Sequence, residues 1–308
     1  MKKETRSFYE EIVQQAVGRI VHGLDEALDL GCLARGAALS PLHFHRIFRG
    51  IVGETPLELH RRLRLERAAH RLANGGASVT SIAFDAGYET HESFTRAFRD
   101  AYAASPSEFR ERAAEERSAC RRPPDVELAA RCGIHFIEGK RLELPISIQP
   151  TGAAIMNVDI QTMPELRVAA VSHRGPYNTI SNAFERLGGI VGPAGLIGLP
   201  GCKMLAIYHD DPETTPATEL RADAGIVVPN DVALPPGLTE IKIPAGKYAR
   251  TEHVGPYTLL GDTWSRLMGE WLPKSGHRIN GMMYEVYKNT PMDTKPSDLL
   301  TELFLNIA

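Results

Sequence analysis

The chain has 308 residues, is 43% hydrophobic and 24% charged, and carries a net charge of −3 with a pI near 6.4. This is enough chain for two or more cores, and the balance excludes a protein that grips nucleic acid through bulk positive charge. The longest uncharged apolar run, "LGGIVGPAGLIGLPG", is interrupted by glycine and proline and is too short to span a bilayer. Cys32, Cys120, Cys132 and Cys202 form no CxxC pair, which argues against a disulfide framework or a zinc site.

The start, "MKKETRSFYEEIV", has no apolar signal stretch, so the expectation is a cytoplasmic chain with no membrane partner. Residues 8–28 place Ile12, Val13, Ala16, Val17, Ile20 and Leu24 on one helical face, and helical patterning runs on to about Arg117. Between 118 and 150 the style changes to Pro- and Gly-containing pieces, read as a linker with a strand at "GIHFIEG". There Cys132 and His135 stand as half of a metal-ligand set, with nothing to complete it. From about 153 onward β-like runs such as "IMNVDIQ", "LRVAAVSH" and "AGIVVP" alternate with two helical stretches. The expected domains are therefore 1–112, a linker over 113–152, and 153–308.

Each half repeats internally. "HFHRIFRG" (43–50) returns fifty residues later as "SFTRAFRD" (93–100), and Pro56 and Glu58 find matches in Pro106 and Glu108. In the second half, "HRGPY" (173–177) returns eighty residues later as "HVGPY" (253–257). Behind each follow a helix-like segment ("AFERLGGIV", "TWSRLMGEWL") and strands leading into a Pro-containing loop.

In the first repeat Ser40 is placed to cap a helix that Pro41 opens, with Phe44, Ile47 and Phe48 on one face. Leu42, His45, Arg46 and Arg49 point away from that face. Ahead of it, "LGCLARGAA" supplies a short helix and a turn of small residues, which is helix-turn-helix organisation. The second copy has Gly87 in the turn, Thr90 as cap, and His91, Glu92, Thr95 and Arg96 outward. Residues 1–112 hold 16 Lys+Arg against 15 Asp+Glu, so a DNA role rests on where charge is placed, including Arg61, Arg62, Arg64, Arg67 and Arg71 between the two units.

On these residues, and above all on "IAFDAGYETHESFTRAFRDAYAASPSEFR", residues 8–112 resemble the DNA-binding domain of the AraC/XylS transcription-regulator family. The resemblance implies seven helices, two helix-turn-helix units and a shared connecting helix, with double-stranded DNA as partner. Recognition positions carry over to Leu42, His45 and Arg46, and to His91, Glu92, Thr95 and Arg96; Arg49 joins them from the pattern itself. Ala38 stands where the family commonly has glycine. One chain supplies both readers, so a monomer suffices.

In the second repeat the two copies disagree at one charged position. Aligned through Tyr208 and Tyr287, Ala206 meets Glu285. By strand alternation Glu285 shares a face with Met283 and Tyr287, and Tyr284 and Val286 take the other. A carboxylate among aromatics is costly to bury unpaired, so Glu285 either meets a bound cation or transfers a proton, or else it sits on the wet face of the sheet or pairs with an arginine such as Arg250. "GLIGLPG" has no strand-loop-helix frame and is no phosphate loop. Residues 153–308 resemble the GyrI-like effector-binding domain through the GPY turns, the ending "YEVYKNTPMDTKPSDLLTELFLNI" and the duplication. That resemblance implies a cup for lipophilic, often cationic, small molecules. Its acid would be Glu285, and its walls Tyr177, Tyr208, Tyr257, Trp264, Trp271, Tyr284 and Tyr287.

The order of domains resembles the Rob type of regulator. The fold class expected is all-α tandem helix-turn-helix followed by a duplicated α+β domain. The function expected is ligand-responsive transcription activation with no cofactor, no metal and no catalysis, and with RNA polymerase as a further partner. Two rivals stand beside it: a cup that hydrolyses an electrophile with Glu285 and Tyr257 as acid-base pair, and a module that grips a protein such as a topoisomerase subunit.

Overall fold

The computed structural model describes residues 2–119, 124–130, 133–136, 156–212 and 214–308. It divides into two compact units: residues 1–9, 34–50 and 152–308 form one, and residues 10–33 and 51–151 the other.

Among the described residues seven helices precede the first strand: α1 (Lys2–His22), α2 (Leu30–Gly36), α3 (Pro41–Val52), α4 (Pro56–Asn74), α5 (Val79–Asp85), α6 (His91–Tyr102) and α7 (Pro106–Ser118). Their ends follow from local chemistry. Thr55 and Ser105 each accept from the amide three residues on, and Glu58 and Glu108 reach back to the cap amides, closing two capping boxes ahead of Pro56 and Pro106. Within the second unit, Leu65, Ala69, Leu72, Ile82, Phe94, Phe98, Phe109 and Ala113 form one core. Its aromatics are in contact, Phe94 with Phe98 at 5.5 Å and Phe98 with Phe109 at 5.4 Å between ring centres.

The same unit holds a buried carboxylate. Glu66 on α4 accepts from Arg62 Nη1 (2.8 Å), from the amides of Leu128 (3.0 Å) and Phe136 (2.8 Å), and lies 3.1 Å from His135 Nδ1. The described pieces of the expected linker are therefore tied to α4, and 133–136 is not a strand; the rest of "GIHFIEG", with Cys120 and Cys132, lies outside the described residues. Among the described residues no group of three or more potential ligands could hold a metal ion.

The strand-rich unit carries an eight-stranded sheet in the order β1-β6-β8-β7-β3-β4-β2-β5, built from β1 (Asp159–Met163), β2 (Leu166–Arg174), β3 (Met204–Tyr208), β4 (Arg221–Val227), β5 (Thr239–Ile243), β6 (Gly246–Val254), β7 (Ile279–Tyr287) and β8 (Leu300–Ile307). The duplication is visible in it. Each "H-x-G-P-Y" segment leaves a nine-residue strand (β2 or β6) and enters a 3₁₀ turn at Tyr177 or Tyr257. Gly175 and Gly255 take φ of +135° and +136°, their amides donate to Leu220 and Leu299 carbonyls, and the imidazoles of His173 and His253 sit 3.1 and 3.2 Å from Pro176 and Pro256 carbonyls. Only glycine holds that φ without strain, so the turn is the same device twice.

Behind the turns lie α8 (Ser181–Val191) and, in the second copy, α9 (Leu260–Arg266), a π-helical turn over Leu267–Trp271 and α10 (Leu272–Ser275). The α8 side of the sheet packs Ala169, Ala183, Leu187, Ala224 and Ile226; the residues alternating with these pack Val168, Leu205, Tyr248, Tyr284, Val286 and Phe304 on the other side.

Candidate effector cup and DNA-reading helices

Glu285 lies on the helical side of the sheet, next to Ala206 across the β3–β7 pair, and is 2% exposed. Neither the wet face nor a pairing with Arg250 survives: Glu285 is buried, and Arg250 pairs instead with Asp159, Glu252 and Glu302. The Trp264 indole donates to Glu285 Oε1 at 2.7 Å, and the Tyr287 hydroxyl donates to Oε2 at 2.9 Å. Tyr208 and Tyr287 hydroxyls are 3.1 Å apart. Since the Tyr287 proton points at Glu285, Tyr208 donates to Tyr287, and a relay of phenols ends on one buried acid. Burial raises the Glu285 pKa, and the Trp264 bond and the charge of Arg46 oppose that rise. Burial likewise pushes the Tyr177 hydroxyl up to about 12, and raises Tyr208, Tyr257 and Tyr287, so the walls are neutral phenols.

The rings close around this centre. Tyr177 meets Tyr208 at 4.8 Å, Tyr257 meets Tyr287 at 5.2 Å, and Phe184 meets Tyr287 at 5.5 Å, all edge-on. In the duplication Phe184 corresponds to Trp264 and Ala206 to Glu285. The copy that has the carboxylate also has the indole N–H that satisfies it; the copy without it has phenylalanine and alanine. A buried charge demands such a donor.

A cation is already present in the cup, supplied by the same unit. The Arg46 guanidinium of α3 lies 4.6 Å over the Trp264 ring, its Nη1 is 3.1 Å from Met283 Sδ, and Glu285, Tyr208, Asp211 and Tyr177 all favour its charged form against the cost of burial. Around it, His45 Nδ1 is 3.6 Å from Asp211 Oδ2, and Arg49 Nη2 is 2.9 Å from Asp262 Oδ1. His43 is held neutral down to about pH 4, by burial and by the Arg46 charge. At Gly50 an added Cβ would stand 2.0 Å from the Ser265 carbonyl oxygen and 2.6 Å from Gly269 Cα, so α3 meets this segment backbone to backbone.

The second helix-turn-helix, within its own unit, is laid out for a groove. Gly87 turns the chain at φ +81°, Thr90 accepts from the Ser93 amide, and α6 follows with Phe94 and Phe98 buried. His91, Glu92 and Arg96 are exposed. Thr95 is partly buried, and its hydroxyl has no hydrogen-bond partner among the described residues.

Residues 156–308 match the GyrI-like small molecule binding domain family, and residues 33–112 match a helix-turn-helix domain family. Among characterised proteins, the DNA gyrase inhibitor of Yersinia enterocolitica is 35% identical over 136 residues, spanning 42% of this chain and 84% of that protein. The regulatory protein SoxS of Salmonella typhimurium is 30% identical over 104 residues, spanning 34% of this chain and 97% of SoxS. The crystal structure of the EcmrR C-terminal domain aligns over 50% of this chain and 99% of that one, at 18% identity and a TM-score of 0.44. This chain belongs to the AraC-type regulators that carry a GyrI-like domain. It is a ligand-responsive transcription regulator with a DNA-binding helix-turn-helix region and a strand-rich effector domain.

In this AraC-type chain the structure gathers Glu285, Tyr177, Tyr208, Tyr257, Trp264 and Tyr287 into one cup. One expected wall residue falls outside it. Tyr284 is on the opposite face of β7, stacked on Phe304 at 4.8 Å, because a strand turns successive side chains to opposite faces. Trp271 ends the π-helical turn over Leu267–Trp271 and is half-buried. Phe184 belongs to the cup and was legible as the repeat partner of Trp264. Leu42, expected to face DNA, is 4% exposed and is not presented to a groove. Among the described residues no helix is long and apolar enough to cross a membrane.

Proposed function

We propose that the cup senses a planar, lipophilic organic cation, and that Glu285 is the counter-charge that selects it. The observation that carries this reading is a buried carboxylate with one donor on each oxygen, enclosed by aromatic faces and already beside a guanidinium. The two donors leave lone pairs of the carboxylate for a cation, and Trp264 offers a π-face at the same place. The cup acts by binding and not by catalysis on this reading: burial keeps its phenols neutral, so none of them is a base at neutral pH. On this reading the chain works in the cytoplasm as an activator that engages DNA and RNA polymerase. DNA contact comes from His45, Arg46 and Arg49 of the first reader and from His91, Glu92, Thr95 and Arg96 of the second. The working division is the expected one, 1–112 for DNA, 113–152 as linker and 153–308 for the effector, with the helical part carried on through α7 to Ser118.

Calorimetric titration of the full chain with phenylguanidinium and with phenylurea, a neutral compound of the same shape, tests the reading. The cation is expected to bind and the urea to bind far more weakly. Glu285→Gln should weaken the cation by about 1–3 kcal/mol, about 5- to 150-fold, and the urea much less. Equal losses for both compounds, or none for either, would show that Glu285 is not the selecting charge.

A further inference from the structure

The α3 side chains that the sequence assigns to DNA are held by the effector cup in this structure. Arg46 is over Trp264 and beside Glu285, His45 faces Asp211, and Arg49 pairs with Asp262, so three basic groups on one helix meet three acids. Asp211 is 1% exposed and Glu285 2%, so two of those acids are buried and not surface charges that happen to lie nearby. The contact is also built at the level of the backbone. No Cβ fits at Gly50, because Ser265 O and Gly269 Cα occupy the space. A helix that needed only to lie in a groove would have no use for glycine there, since glycine costs a helix interior about 1 kcal/mol relative to alanine.

We propose that the first recognition helix is the internal ligand of the cup, with Arg46 as its cationic group, and that an effector cation and α3 compete for one site. This rests on the reading of the cup as a cation site. Arg46 cannot lie over Trp264 and on a DNA base or phosphate at once. A cation that takes its place releases α3, and effector and DNA then favour the same released state. Coupling of that kind is reciprocal, so each raises the affinity of the other. The internal guanidinium also narrows the effector class to flat delocalised cations, amidinium or guanidinium in type, on an aromatic body that Tyr177, Tyr208 and Tyr257 can flank.

Competition has a signature that simple binding lacks. Apparent affinity equals intrinsic affinity scaled by the fraction of chains with an open cup, so removing the internal competitor must tighten effector binding. Phenylguanidinium is titrated into the full chain and into Arg46→Ala, Gly50→Ala and Glu285→Gln, alone and with Glu285→Gln added to the first two. Arg46→Ala removes the internal cation. Gly50→Ala undocks α3 while leaving Arg46 in place, and alanine improves helix propensity, so loss of the helix is not the cause of any change. Both are expected to bind the probe at least tenfold more tightly than the parent, and Glu285→Gln is expected to abolish that gain in both. If Arg46→Ala and Gly50→Ala bind like the parent while Glu285→Gln weakens binding, the cup is a cation site and α3 is no competitor: the inference is overturned and the reading stands. If the probe binds none of the chains, the reading fails and takes the inference with it.

Discussion

α3 and α6 carry the same pattern fifty residues apart, and they end in different surroundings. Each buries two phenylalanines, Phe44 with Phe48 and Phe94 with Phe98, all at or below 1% exposure. The residues between them differ in state. Arg96 is exposed on α6, and Arg46 is partly buried over Trp264. The difference teaches that the aromatic half of the repeat fixes a fold and the basic half fixes nothing by itself. An arginine one turn from a phenylalanine is presented to whatever surface comes next, DNA or protein.

The comparison can be broken first at what the copies share. Phe48→Ala and Phe98→Ala should each cost about 3–5 kcal/mol in denaturant unfolding, since each empties a large buried site. A cost below about 1 kcal/mol at either would mean that the copies are not equivalent in their cores.

It is sharpened where the copies differ. With DNA selected from a random pool by the full chain, Arg96→Ala should lose about 1–3 kcal/mol if it reads a guanine. Arg46→Ala should lose less in the absence of effector, because the substitution also loosens α3 from the cup. An Arg46→Ala loss equal to or larger than that of Arg96→Ala would argue that α3 is already free.

Acid offers a third handle on α3. His43 has a folded pKa of about 4, below the ordinary value of 6.5. Its depressed pKa adds stability at neutral pH, where both states are unprotonated. That stability declines as pH falls from about 6.5 toward 4, because the unfolded chain takes up the proton first. Chemical denaturation at stepped pH should therefore show a decline across that window that His43→Gln flattens. A decline of the same size in the variant would assign it to other groups.

The smallest effect lies in the first turn. Ala38 takes φ +54°, in the left-handed region where glycine is at ease, whereas the second turn has Gly87 at φ +81°. Ala38→Gly should relieve about 1–2 kcal/mol of strain and add about 0.5–1 kcal/mol of unfolded-chain entropy, for a net gain of about 1 kcal/mol or less. A clear destabilisation would show that the Ala38 methyl is packed.

Much of this was legible in the sequence because it is local or periodic. The turn at Gly87, the Thr90 cap and the twin GPY turns are short-range patterns and appear as read, whereas Pro56, Glu58, Pro106 and Glu108 stood in the sequence only as repeat partners and turn out to belong to two capping boxes. Alternation placed Glu285 with Met283 and Tyr287; the same rule excluded Tyr284 from the cup, and counting it among the walls went against it. Comparing the copies position by position would have found Phe184 opposite Trp264, and with it the indole donor. Nothing local marks the partner of Arg46, because Met283 and Trp264 are more than two hundred residues away in sequence and are brought to it only by tertiary packing. Glu66 is similar: an ordinary helical glutamate by pattern, it holds backbone amides sixty-two and seventy residues away.

The central claim is that α3 occupies the cup until a cation displaces it. Amide hydrogen exchange over residues 41–52 of the full chain, with and without saturating phenylguanidinium, addresses it most directly, with occupancy followed by Trp264 fluorescence in a Trp271→Phe background. The account predicts that protection of this segment falls as the cup fills, while α6 over residues 91–102 is unchanged. Unchanged protection of α3 at full occupancy would contradict it.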